Sequence, residues 1–155
     1  MNKTKFIGRF LIIASILFHS CVSKKHTDVL LVGTYSTEGS KGIYKLNFNN
    51  NEGTLAFDTS IQSSNPSFLT LSADKKFVYA VNENAGKDGG AVSSYSFNKA
   101  NGFKFINKVA SEGDHPCYIS LSHNGQWALV SNYSSGILSL LGVNADGSLT
   151  VAKQI

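Results

Sequence analysis

Asn65-Pro-Ser-Phe-Leu-Thr-Leu-Ser-Ala-Asp-Lys-Lys-Phe-Val-Tyr-Ala-Val-Asn-Glu83 aligns without a gap onto His115-Pro-Cys-Tyr-Ile-Ser-Leu-Ser-His-Asn-Gly-Gln-Trp-Ala-Leu-Val-Ser-Asn-Tyr133. Pro66/Pro116, Leu71/Leu121, Ser72/Ser122 and Asn82/Asn132 are identical, and Phe68/Tyr118, Leu69/Ile119, Thr70/Ser120, Asp74/Asn124 and Phe77/Trp127 are conservative pairs. The offset is 115 − 65 = 50 residues. The match runs on through Gly90 to Asn98 against Gly136 to Asn144, then Asn101-Gly102 against Asp146-Gly147. A weaker third copy precedes both in Val29 to Thr34, Gly42 to Asn49 and Gly53 to Phe57, with Val29 to Thr34 set against Val78 to Glu83.

Each full copy divides into four runs of strand length. They are Pro66–Ser72, Phe77–Glu83, Ala91–Asn98 and Phe103–Ala110, then Cys117–Ser122, Trp127–Tyr133, Ile137–Asn144 and Leu149–Ile155. Their centres are almost continuously apolar, as in Phe77-Val-Tyr-Ala-Val81, the pattern of strands packed on both faces. Asp74-Lys75 and Asn124-Gly125 fall where tight hairpins need residues tolerant of positive φ. Nothing after residue 28 has helical periodicity. Four-stranded repeats of roughly 40–50 residues are the signature of propeller blades. The expectation is an all-β β-propeller with about three blades, at about 29–64, 65–114 and 115–155. The first copy lacks a first strand, and propellers have about four to eight blades, so the chain reads as the N-terminal fragment of a longer protein.

The 155 residues are 42% hydrophobic and 15% charged, which places the chain among globular proteins. Its charge of +4 is mostly a leader effect, because Lys3, Lys5 and Arg9 precede any acid. Without those three, the 14 cations fall to 11 against 10 acids. Arg9 is the only arginine, so the rest of the chain lacks the planar fork used in phosphate and base recognition. No nucleic-acid partner is expected. After the cations comes the apolar stretch Phe10 to Phe18, then His19-Ser20-Cys21, the order of a secretory signal. Cys21 directly after a small residue resembles a bacterial lipobox. Residues 1–20 therefore read as a lipoprotein-type signal peptide and 21–28 as a tether, with Cys21 lipidated and the protein lipid-anchored to the membrane on the extracytoplasmic side. The other reading is an ordinary cleaved signal. Cys117 then has no disulfide partner and reads as a small buried hydrophobe.

Leu31-Val-Gly-Thr-Tyr35 with Gly42-Ile-Tyr44, the block Asn65-Pro66-Ser67 to Tyr79-Ala-Val-Asn-Glu83, and His115-Pro116 to Ser131-Asn132-Tyr133 and Gly136 together resemble one family. It is the seven-bladed propeller lactonases of 6-phosphogluconolactonase and muconate-cycloisomerase type. The resemblance implies a seven-bladed ring when complete and hydrolysis of an intramolecular ester of a sugar acid, with a small-molecule sugar lactone as substrate and no cofactor. It also implies that the catalytic His and Arg lie on later blades, beyond Ile155, so this piece alone is expected to be inactive. The competing class is a non-enzymatic envelope propeller that binds a protein or glycan.

Three residues are candidates for a substrate cleft. Glu83 and Tyr133 occupy one repeat position, at the end of a second strand, and either points into a cleft or sits solvated at a strand end. His115 follows Asp114 just before a blade's innermost strand, suited to a carboxylate or phosphate group of a substrate or to capping the turn before Pro116. His123 lies in a hairpin turn and reads as solvent-facing, while the recurrence of Asn82 and Asn132 in register speaks for a structural hydrogen-bonding role. Gly86-Lys-Asp-Gly-Gly90 reads as a flexible hairpin tip, and no metal-ligand spacing is present.

Overall fold

The computed structural model describes residues 27–155, so the leader, Cys21 and most of the tether lie outside the described residues. Three antiparallel sheets follow one another along the chain. The first contains β1 (Thr27–Gly33), β2 (Gly42–Asn49) and β3 (Thr54–Gln62). The second contains β4 (Leu69–Leu71), β5 (Phe77–Asn82), β6 (Ala91–Asn98) and β7 (Gly102–Ala110). The third contains β8 (Pro116–Leu121), β9 (Trp127–Asn132), β10 (Ile137–Gly142) and β11 (Lys153–Gln154). Strands pair in meander order within each sheet, and the first strands β4 and β8 touch each other. This is the expected all-β arrangement of propeller blades. β1 begins at Thr27, so the last two residues of the expected tether, Thr27 and Asp28, are strand.

Alternation along β5 explains the stacking. Val78 and Ala80 pack with Ile43 and Tyr95 between the first and second sheets, while Tyr79 and Val81 pack with Ile119, Ala128 and Val130 between the second and third. Both faces of a central strand are therefore buried, which needs an apolar run rather than alternation. Gly33 closes β1 under the Pro66 carbonyl of the segment leading into the next sheet, where a Cβ would come within 1.8 Å of that oxygen. Lys45, 2% exposed, spans the same interface, pairing with Asp58 at 2.7 Å and donating to the Lys99 carbonyl.

The two hairpins expected from the sequence are superimposable in their bonding. Ser72 Oγ bonds Asp74 Oδ1 at 2.7 Å and accepts the Phe77 N–H. Ser122 Oγ bonds Asn124 Oδ1 at 2.7 Å and accepts the Trp127 N–H. Lys75 (φ 59) and Gly125 (φ 70) take the left-handed position in each.

Four expectations are corrected. Leu31 packs toward the second sheet while Leu30 (40%) and Val32 (39%) are exposed, so the first copy is offset by 50 residues, with Leu31 matching Val81. Setting Val29 against Val78 slips the register by one and assigns every side chain to the wrong face. The run Pro66–Ser72 yields a strand only at Leu69–Leu71, because Pro66 has no donor and the backbone turns back on itself with the Ser67 N–H on the Asn65 carbonyl. Leu149–Ile155 is not one strand either. Leu149 and Ala152, three apart, are both buried, and Thr150 Oγ1 accepts the Gly142 N–H, leaving a single bridge at Leu149 and the short β11. Gly86–Asp88 forms a 3₁₀ turn pinned at both ends, by the Gly86 N–H on Asp114 and the Gly90 N–H on the Gly113 carbonyl, rather than a free hairpin tip.

Candidate functional site

β1, β5 and β9 end, and β4 and β8 begin, at one rim of the stacked sheets. Stacking of the sheets therefore collects Tyr35, Ser67, Glu83, His115, Cys117 and Tyr133 there. The rim repeats its own backbone. The Glu83 N–H bonds the Asn65 carbonyl at 3.0 Å, and the Tyr133 N–H bonds the His115 carbonyl at 2.9 Å. Asn65 (φ 43) and His115 (φ 52) hold the same left-handed conformation at the entry to their blades. Asn65 Nδ2 donates to Asn84 Oδ1 at 2.8 Å, and His115 Nδ1 shares a hydrogen bond with Ser134 Oγ at 2.8 Å, again in register.

Below the rim, paired asparagines hold the scaffold. Asn82, 1% exposed, donates to Ser63 Oγ at 3.1 Å and the Ser64 carbonyl at 2.7 Å, and accepts from Ser93 Oγ at 2.6 Å. Asn132 accepts from Ser111 Oγ at 2.6 Å and donates to Ser139 Oγ at 3.0 Å. The structural role expected of both is what they perform, tying each blade to its predecessor.

The Tyr35 hydroxyl donates to Glu83 Oε2 at 2.9 Å, joining the first sheet to the second across the rim. That bond to Glu83, then partial burial and the negative charge of the carboxylate, raise the Tyr35 pKa above its ordinary value. The Ser67 hydroxyl, its oxygen buried beside Tyr35, counters part of the rise by hydrogen bonding. Cys117 also lies close enough to influence Tyr35. Its thiol is partly buried, 3.7 Å from the Ser131 carbonyl, rather than packed in the apolar core as expected. The reason is local: the β8 ladder slips between Pro116 and Tyr118, so Cys117 is the unpaired residue of a bulge.

The three cleft candidates share the rim, but no hydrogen bond joins their side chains among the described residues. Glu83 is engaged by Tyr35, His115 by Ser134, and Tyr133 stands 80% exposed. The Asp114 carboxylate accepts the Gly86 N–H, and the hydrogen-bond partner of the His115 ring is Ser134. His123 is exposed in its hairpin, as expected. Tyr35 and Ser67 were missed as site residues, although both lie inside the quoted motifs. Only their position beside Glu83 marks them. A groove of about 500 Å³ also runs between β4 and β8, past Leu69, Leu71, Tyr118 and Ser120 toward His123. Its walls carry no carboxylate, so the polar rim is the better site for acid–base or hydroxyl chemistry. Among the described residues, no three His, Cys, Asp or Glu side chains are grouped as metal ligands.

Residues 29–155 match the family described as lactonase, 7-bladed beta-propeller. The chain is 30% identical over 120 residues to a 6-phosphogluconolactonase of Bacillus subtilis (strain 168), covering 76% of this chain and 34% of that protein. A protein of Formosa agariphila named 6-phosphogluconolactonase is 28% identical, with 77% and 35% covered. The solved structure of the Pseudomonas aeruginosa periplasmic gluconolactonase superposes with a TM-score of 0.77 at 36% identity, covering 82% of this chain and 38% of that one. The chain thus spans little more than a third of the length of these relatives. With its meander sheets stacked as blades and a family match reaching from β1 to the last residue, this chain belongs to the seven-bladed β-propeller lactonases.

Proposed function

We propose that this chain is the first part of a lactonase that opens the intramolecular ester of a sugar acid to the hydroxy acid. The family match over residues 29–155 carries the reading. Relatives named 6-phosphogluconolactonase and a periplasmic gluconolactonase support a sugar-acid lactone as the substrate class. Water attacks the lactone carbonyl, so the reaction needs a general base at the water and donors or a cation where the oxyanion forms. The described blades contribute the rim of Glu83, His115 and Tyr133 to the substrate cleft, and the base and oxyanion groups belong to blades beyond Ile155. The leader exports the protein and Cys21 carries the lipid, and the similarity to a periplasmic enzyme supports that side of the membrane.

The test is hydrolysis of D-glucono-1,5-lactone and its 6-phospho ester by the full protein, measured against spontaneous opening. Acceleration of either supports the reading. No acceleration, together with tight binding of a glycan or envelope protein, favours the non-enzymatic class. A Cys21→Ala protein is expected in the soluble fraction, and its retention in membranes would refute the anchor.

A further inference from the structure

The two ends of the stacked sheets differ in charge. The loops at the rim, 34–41, 63–68, 83–90, 111–115 and 133–136, carry five acids against two lysines, Lys41 and Lys87. The hairpins at the opposite end, 50–53, 72–76, 99–101, 122–126 and 143–148, carry three acids against three lysines, Lys75, Lys76 and Lys99. Lys76 pairs with Asp74 at 3.1 Å, whereas Lys75 and Lys99 are exposed and form no ion pair among the described residues. The Lys99 hairpin is fixed through its backbone, because the Lys99 carbonyl accepts the buried Lys45 ammonium.

β1 begins at this hairpin end. Thr27 pairs with Asn49, which opens the 50–53 hairpin, and the strand runs from there to Gly33 at the rim. Asn50 Nδ2 donates to Asp28 Oδ2 at 2.7 Å, tying the start of the strand to that hairpin. From Cys21 to Thr27 there are 27 − 21 = 6 residue steps, a reach of at most about 20–22 Å whatever its conformation. β1 itself carries the chain about 20 Å farther before the rim is reached. A lipid on Cys21 therefore holds the hairpin end at the headgroups. Turning the rim toward the membrane would spend the whole reach on climbing the length of β1, and would set the five rim acids against phosphate. Basic residues beside an anchor are drawn to anionic headgroups, and acids repelled, within a Debye length of about 8–10 Å. Lys24 and Lys25 stand within the link itself and add to the same side.

We infer that the hairpin end of the blades is a membrane-facing surface, with Lys75 and Lys99 against the headgroups of an anionic bilayer and the rim cleft opening away from it, an inference that takes its anchor at Cys21 from the proposed function. A water-soluble ligand then reaches the rim without entering the headgroup layer.

The experiment places a bimane fluorophore on Lys75→Cys, Lys99→Cys, Glu38→Cys and Glu112→Cys, one at a time, in the full lipidated protein. The protein is bound to vesicles of phosphatidylglycerol and phosphatidylcholine containing a lipid with a nitroxide quencher on its headgroup, and wild-type protein supplies the labelling background. Fluorescence is expected to be lost at positions 75 and 99 and kept at 38 and 112, with the loss diminishing as phosphatidylcholine replaces phosphatidylglycerol. Loss at all four positions alike, at none, or mainly at 38 and 112 would overturn the orientation, and a loss indifferent to phosphatidylglycerol would overturn the lysine contact. Failure of the anchor shows separately, as wild-type protein that carries no lipid and stays soluble. The same four labels are then read on protein held to nickel-chelating lipid by a histidine tag at residue 21. Loss confined to 75 and 99 there upholds the orientation without the native lipid, and any other pattern refutes it.

Discussion

Replacing Asn82 with alanine tests whether the buried amide, rather than apolar stacking alone, locks the second blade to the first. The side chain makes three hydrogen bonds, to Ser63 Oγ, the Ser64 carbonyl and Ser93 Oγ. Truncation affects the partners unequally. Ser64 is exposed and can recruit water, and Ser63 keeps the Tyr95 hydroxyl at 2.9 Å. Ser93, 3% exposed, loses its only acceptor among the described residues. One stranded buried hydroxyl costs about 1–3 kcal/mol, and the net loss of the other bonds adds about 1, so the expected destabilisation is about 2–4 kcal/mol. In Asn82→Ala/Ser93→Ala the stranded hydroxyl is gone, and the double substitution should cost less than the sum of the singles by about 1–2 kcal/mol. The assay is urea unfolding by far-UV circular dichroism, with the midpoint moving and the slope unchanged. A loss below about 1 kcal/mol, or strict additivity, would show that the amide network does not hold the interface.

Three further outcomes follow from the turns and the core. Lys75→Gly relieves a side chain from a left-handed position that Gly125 fills in the next blade, and should raise stability by up to about 1 kcal/mol; a lower melting temperature would contradict the strain. Asp74 is held at about 2 by the Ser72 hydroxyl, then the Lys76 N–H and the Lys76 ammonium, below its ordinary 3.8. Its depressed value means that its contribution is present above about pH 4 and lost as pH falls toward 2, so Asp74→Asn, copying Asn124, should flatten acid unfolding in that window. An unchanged acid profile would refute this. Tyr79 is buried with an unpartnered hydroxyl, and burial, then the charges of Asp74 and Asp146, push it up to about 12. The unfolded chain ionises first, so stability falls as pH rises from 10 toward 12. Tyr79→Phe should remove that fall and stabilise the protein by about 1 kcal/mol at neutral pH, and a destabilised Phe variant would reveal a buried water bound to the hydroxyl.

The rim shows where a sequence stops being informative. Asn65 and His115 differ chemically, yet both adopt φ near +50° and their side chains bond the second residue after the second strand, and their alignment on the blade-initial prolines anticipates that. Glu83 was a visible candidate because a charge at a strand end stands out. Its partner Tyr35 lies 48 residues away in the loop after β1, and nothing in local spacing connects them. A separation of 67 − 35 = 32 residues likewise hides Ser67, an ordinary serine until a bulge turns it toward that tyrosine. Cys117 erred in the opposite direction, since an apolar run suggests burial while the bulge takes the residue out of the alternation.

The sequence by itself determined the blade repeat, the hairpins and the continuously apolar run of β5, because each is a pattern carried within a single blade. Ser72-x-Asp74 and Ser122-x-Asn124 carry their own turn bonds wherever the chain goes. Tertiary structure alone decided the register of the first copy, where a slip of one residue exchanges the buried face for the exposed one and only contact with the next sheet chooses between them. It also decided which polar groups converge. A site assembled from loops of successive blades exists only once those blades stack, and the stacking is fixed by long-range contacts such as Gly33 under Pro66 and Tyr79 against the third sheet.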